Sequence, residues 1–263
     1  YKDTAGVASL VFGSSGTGDG EFDNPTGIAI TPDDDVYVVD SVNHRVQKFG
    51  ASGNYVSQFG SSGSGNGEFS FPWGIALDSG GNIYVVDTLN DLVQKFDAGG
   101  IYITKWGTSG SGNGQFSVPR GIAIDSSDNI YVSDTNNDRI QVFDTSGNYV
   151  SQFGGSGSGE GQLDGPYGIA ADADGYIYVA DHGNFRIQMF DSSGVFVSAF
   201  GEAGTGNSQF YSPHNVAVTT GGDIYVADFE NCRVQVFNRD GEFVNKWGTF
   251  GGGDGQFRNP LGL

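Results

Sequence analysis

Cysteine is nearly absent from this 263-residue chain. Cys232 stands alone, so no internal disulfide holds the fold and the redox compartment is left open. Basic residues are scarce: 12 Lys and Arg face 31 Asp and Glu, a formal net charge of −19. A surface of that sign repels phosphate backbones and excludes nucleic acid as an expected partner. Long apolar runs are missing too, which argues against membrane insertion. Few lysines, many Ser, Gly, Asn and Thr, and the acidic balance lead us to expect an extracellular or periplasmic protein.

Glycine and proline are what the chain has, and their placement is regular. Prolines recur at Pro25, Pro72, Pro119, Pro166, Pro213 and Pro260, each 47 positions after the last. Aspartates keep the same interval at Asp40, Asp87, Asp134, Asp181 and Asp228. A repeat of this length, with several short strands per copy, is the signature of a β-propeller, in which each copy buries its apolar face only against its neighbours. We therefore read 1–263 as one domain. Its complete repeats are 25–71, 72–118, 119–165, 166–212 and 213–259.

The first complete copy shows how four strands arise. Gly27-Ile28-Ala29-Ile30 is a short apolar run that Pro32 to Asp35 turns. Val36 to Val39 is β-branched and aromatic and stops at Asp40. Arg45 to Phe49 and Tyr55 to Gly60 each alternate with period two, as half-exposed strands do. Turns rich in Gly, Asn and Asp join them into one antiparallel blade. The glycine-rich stretch from Ser61 to Phe69 then crosses to the next blade. It lacks the Lys-Ser/Thr and the helix of a phosphate-cradling loop, so it reads as a linker. Its last residue is apolar in every copy (Phe22, Phe69, Phe116, Leu163, Phe210, Phe257) and is expected to plug the gap between blades.

Pro-x-Gly-Ile-Ala, Tyr-Val-x-Asp, and then Asp40…Asn43-His44-Arg45 with its counterparts Asp134…Asn137…Arg139, Asp181…Asn184…Arg186 and Asp228…Asn231…Arg233 make the chain resemble the NHL repeat family. The resemblance covers essentially the whole chain. It implies an all-β propeller of four-stranded antiparallel blades, most often six, and no single function. The recurrent Asp, Asn and Arg read as structural, because a site repeated in every blade is symmetric whereas catalysis needs one asymmetric cluster. The Asp is expected to cap backbone N–H groups of the turn after it, with Arg reaching back to the same carboxylate. The second copy keeps Asp87 and Asn90 but has Leu92 for the Arg, so capping is the carboxylate's main task.

Function is then sought where the copies disagree. The position inside Pro-x-Gly places one side chain per blade at the mouth of the central channel. It reads Thr26, Trp73, Arg120, Tyr167 and His214, then Leu261. Loops between the second and third strands open on the same face and add His44, His182, Phe185 and Phe229. Aromatics and arginine are the usual anchors of binding hot spots. The leading expectation is a non-enzymatic scaffold that binds a protein, peptide or glycan on this face. The alternatives are a channel-centred lyase or hydrolase using a divalent metal, and a self-assembling extracellular fibre or sheath subunit. No cofactor is expected; the metal alternatives are zinc at the histidines and calcium at Asp172-Ala173-Asp174-Gly175 or Asp33-Asp34-Asp35.

The ends carry a further expectation. On the repeat interval, Gly6 to Gly13 matches a fourth, outer strand, so 1–24 holds the outer strand of a split sixth blade. Residues 260–263 match the start of a first, inner strand. The two middle strands are not in the sequence. They are expected from residues beyond Leu263 or from a neighbouring molecule; the second route makes a homo-oligomer and, head to tail, a filament.

Overall fold

A computed structural model describes residues 11–263. The complete repeats form five four-stranded antiparallel sheets, each in the simple order first to fourth strand. Blade one consists of Pro25–Ile30, Val36–Asp40, Arg45–Phe49 and Tyr55–Phe59. Blade two consists of Pro72–Leu77, Ile83–Asp87, Leu92–Phe96 and Tyr102–Trp106. Blade three is Ile122–Ile124, Ile130–Asp134, Arg139–Phe143 and Tyr149–Gly154. Blade four is Pro166–Ala171, Ile177–Asp181, Arg186–Phe190 and Phe196–Phe200, and blade five is Pro213–Val218, Ile224–Asp228, Arg233–Phe237 and Phe243–Trp247. No α-helix occurs among the described residues; three single turns of 3-10 helix follow the second strands of blades two, three and four.

The core lies between blades rather than within them. Tyr37, Val39 and Val46 of blade one meet Ile75, Ile83 and Val85 of blade two around the fully buried Phe69. Phe116, Leu163 and Phe210 hold the same place at the next three junctions, so the crossover's last residue is the plug the sequence predicts. Backbones approach most closely around the channel. A Cβ on Gly121, whose φ is ordinary, would run into the carbonyl of Tyr167 in the next blade, and Gly74 stands likewise against Arg120. These glycines are required by spacing, not by conformation.

The described blades number five, and the expected sixth is not formed among the described residues. In its place Pro260–Leu263 carries no strand, yet Gly262 sits against the Thr26 carbonyl as the other inner-strand glycines sit against their neighbours. Phe12 packs on Phe49 at 4.8 Å, as Phe59 packs on Phe96 at 4.7 Å. The expected outer strand over Gly6 to Gly13 lies mostly outside the described residues. Between blades five and one an apolar cleft of about 640 Å³ remains, lined among others by Ile30, Val36, Tyr225 and Trp247.

The recurrent aspartates are structural and take the arginine as expected, but the backbone they cap is not the turn after them. Asp40 is fully buried, and its Oδ1 accepts the N–H of Asp23, in the crossover before the blade rather than in the turn after it. Oδ2 takes Arg45 Nε at 2.8 Å and Gln47 Nε2 at 3.2 Å, while Asn43 Nδ2 donates to both oxygens. Arg45 Nη2 then bonds the carbonyls of Gly18 and Glu21, stitching the crossover to the sheet. In blade two, where Leu92 replaces the arginine, burial pushes the Asp87 carboxyl up, and Lys105 pulls only weakly the other way.

Candidate binding site at the channel mouth

The channel itself is narrow. Ile75, Ile122, Ile169 and Val216 line it with Ile28 and Leu263, and its free volume of about 90 Å³ is smaller than the roughly 150 Å³ of an apolar cavity that holds benzene. Polar and aromatic side chains gather at the mouth. The strand register slips between Pro and Ile at the start of the first strand in blades one, two and four, which makes a bulge at the x-Gly pair. A bulge re-aims side chains. That is how the residue inside Pro-x-Gly comes to stand at the rim.

Four of the ring residues and two loop residues form one continuous array. The Arg120 guanidinium lies 4.5 Å from the Trp73 ring and 4.2 Å from the Tyr167 ring, between the two. Tyr167 stacks in turn on His182 at 4.2 Å with 14° between planes. His214 meets Tyr167 edge-on at 4.7 Å and stacks on Phe229 at 4.1 Å. Phe229 and His182 occupy the same repeat position, the first residue after the second strand, where blades one to three carry Ser41, Thr88 and Thr135. The mouth is thus bulky over blades two to five and small elsewhere.

Charge in the array resides on Arg120 alone. Burial pushes the His214 imidazole down to about 3, helped by His182 and Arg120 beside it, so it is neutral at physiological pH. Burial also lowers His182, with the Arg120 charge in the same direction and Asp164 and Asp181 opposing. The Arg120 guanidinium is itself lowered by burial. Its Nε and His214 Nδ1 are buried with no hydrogen-bond partner.

The remaining predicted positions fall elsewhere. Thr26 is buried and donates its hydroxyl to the Trp73 carbonyl, a tie between inner strands. His44 Nδ1 accepts the Phe71 N–H and its ring meets Phe71 edge-on, just as Asp91 and Asp138 accept Val118 and Gly165 N–H groups. His44 therefore fastens blade one to blade two, and Phe185 similarly touches Tyr211 of the next crossover. Sequence reasoning missed Ser212, whose Oγ lies 2.6 Å from His182 Nε2. Only the fold joins those two, although the variable residue before each repeat proline was a visible signal.

Among the described residues no group of three or more His, Cys, Asp or Glu is placed to hold a metal. The acidic turn offered for calcium is taken by Arg239, which pairs with Asp174 at 2.6 Å and Asp172 at 3.4 Å. Asp35 of the other acidic turn pairs with Lys48. No helix among the described residues is long and apolar enough to cross a membrane.

Four-stranded blades around a narrow channel, with one chemically asymmetric mouth, define a β-propeller. The chain belongs to the NHL repeat family, whose repeat matches residues 22–49, 69–96, 116–143, 163–190 and 210–237. A comparison with curated proteins found no significant match. Among solved structures, a protein of unknown function from Bacteroides thetaiotaomicron is similar with a TM-score of 0.74 at 20% identity, over 97% of this chain and 69% of that one. A gluconolactonase from Xanthomonas campestris is similar with a TM-score of 0.65 at 17% identity, over 90% and 76%. A chain of a nidogen–laminin complex gives 0.64 at 20% identity, over 84% and 79%. At such identities the likeness extends to the fold alone.

Proposed function

We propose that this propeller is a non-enzymatic interaction scaffold that binds a partner, a protein or peptide segment or a glycan, at the channel mouth. The observation that carries it is the array of Trp73, Arg120, Tyr167, His182, His214 and Phe229, assembled from three adjacent blades and their neighbour amid otherwise uniform repeats. Unselected loop tips drift without collecting stacked aromatics around a cation. A partner as strongly anionic as nucleic acid is not expected on a chain of net charge −19.

Selection of displayed random peptides on the immobilised protein tests this reading. Binders should lose about 2 kcal/mol or more with each of Trp73→Ala and Tyr167→Ala, while the melting temperature stays nearly constant. Binders that ignore both substitutions and protect turns such as Ser52-Gly53-Asn54 would place the interface on the opposite face and refute it.

A hydrolytic reading draws on one contact, Ser212 Oγ to His182 Nε2. The second ring nitrogen of His182 makes no hydrogen bond to a described residue, so the orienting third member of a triad is missing. Turnover of p-nitrophenyl esters that disappears in Ser212→Ala would favour that reading over the scaffold.

A further inference from the structure

We propose that the channel mouth recognises a single carboxylate, with Arg120 as its receptor and the stacked rings as the wall against which the rest of the ligand lies. This rests on the mouth being the binding face and adds the chemistry of what binds there.

The other arginines that enter ion pairs show what is unusual about Arg120. Arg45, Arg139, Arg186 and Arg233 each hold a fully buried aspartate, and Arg239 holds Asp172 and Asp174. Arg120 is half-buried in a chain rich in carboxylates, yet no described carboxylate pairs with it and its side chain makes no hydrogen bond. A cation withdrawn from water without a counter-charge is costly, and a bound anion would relieve that cost.

Shape narrows the ligand. The Trp73 and Tyr167 rings both lie against the guanidinium, and a guanidinium donates only along its edge. An in-plane edge with parallel N–H groups is complementary to the two oxygens of a carboxylate. His214 Nδ1 lies buried and unpartnered in the same array. Aromatic walls of this kind also suit a quaternary ammonium, but here the guanidinium already fills the space between them. A polyanion would feel the −19 of the whole chain on approach, whereas that field is screened beyond about 8–10 Å and a single negative group answers mainly to Arg120.

Calorimetric titration with N-acetyl-phenylalanine, its neutral amide and glucuronate tests the assignment. At least one carboxylate should bind at least about tenfold more tightly than the amide, more weakly as salt is raised. Arg120→Gln should abolish the difference; Arg120→Lys, which keeps the charge but not the fork, should retain part of it. Tighter binding of N-acetyl-phenylalanine identifies a peptide source, and of glucuronate a sugar acid. Equal binding of acid and amide, a preference that survives Arg120→Gln, or no carboxylate binding at millimolar concentration overturns the proposal. Should selected peptides bind at the mouth while acid and amide do not differ, only the ligand class falls. Should they bind on the opposite face, the binding-face reading falls with it.

Discussion

His214 shows how far one side chain's setting can depart from its sequence. In an unfolded chain its imidazole titrates near 6.5, and packed between Tyr167 and Phe229 it titrates at about 3. Between those values the unfolded chain carries a proton that the folded one refuses. The stability contributed is therefore complete above pH 6.5 and is lost as pH falls towards 3. His182, lowered for the same reason, adds in the same direction. Urea denaturation at pH 7.5 and pH 5 should show a loss of about 2 kcal/mol attributable to His214, above the range where most carboxylates titrate. His214→Gln cannot take up that proton and should flatten the dependence by this amount. An unchanged slope would mean that water reaches the imidazole in the folded state.

At the scale of the blade, the buried Asp-Asn-Arg-Gln set is a fastening rather than a site. Arg139 joins its own second strand through Asp134, its fourth strand through Gln152 at 2.8 Å, and the incoming crossover through the Gly112 and Gln115 carbonyls. Blade two has Leu92 in the third strand and Lys105 in the fourth, where blades one and three carry glutamine, and the Lys105 ammonium donates to the Ser64 carbonyl of the crossover. Arg139→Leu should cost about 3–5 kcal/mol, because it leaves Asp134 buried without its cation. Adding Gln152→Lys, which reproduces blade two, should recover part of that loss. Chemical denaturation of the single and double variants measures the coupling, and strictly additive effects would deny the compensation.

At the scale of the whole molecule, five blades leave an apolar flank that no described strand covers. Ile28 and Ile30 of blade one are 39% and 52% exposed, whereas Ile75, Ile122 and Ile169 are buried. The inner and outer sides of this flank are already occupied, by Gly262 against Thr26 and by Phe12 against Phe49, so the cleft has the place of two middle strands. A synthetic hairpin with the sequence of residues 130–143 should bind there and raise the melting temperature, since it would bury the exposed apolar lining. Ile30→Asp should abolish the effect. Binding that survives Ile30→Asp, or a peptide without effect on melting, would show that the flank is not built for strands of the repeat. Sedimentation of the protein alone, over a range of concentrations, reports whether a second copy occupies the same cleft.

The repeat interval by itself determined the strands, the blade topology, the apolar plug at each junction and the list of positions where the copies differ, because those follow from local periodicity and from turns that close within a few residues. Residues such as Trp73, Arg120, Tyr167 and His214 were legible as a ring for the same reason. Tertiary structure alone decided what they do to one another. It stacked His182 and Phe229 from separate loops onto the ring, brought Ser212 to His182 across a blade boundary, and turned His44 and Thr26 away into ties between blades. These contacts join residues 15 to 47 positions apart and depend on how loops fold back and how sheets are rotated about the axis, which no short-range pattern encodes. The same holds for blade number: residues 260–263 follow the repeat, but a blade forms only where four strands can share one hydrogen-bonded sheet, and five such sheets are present among the described residues.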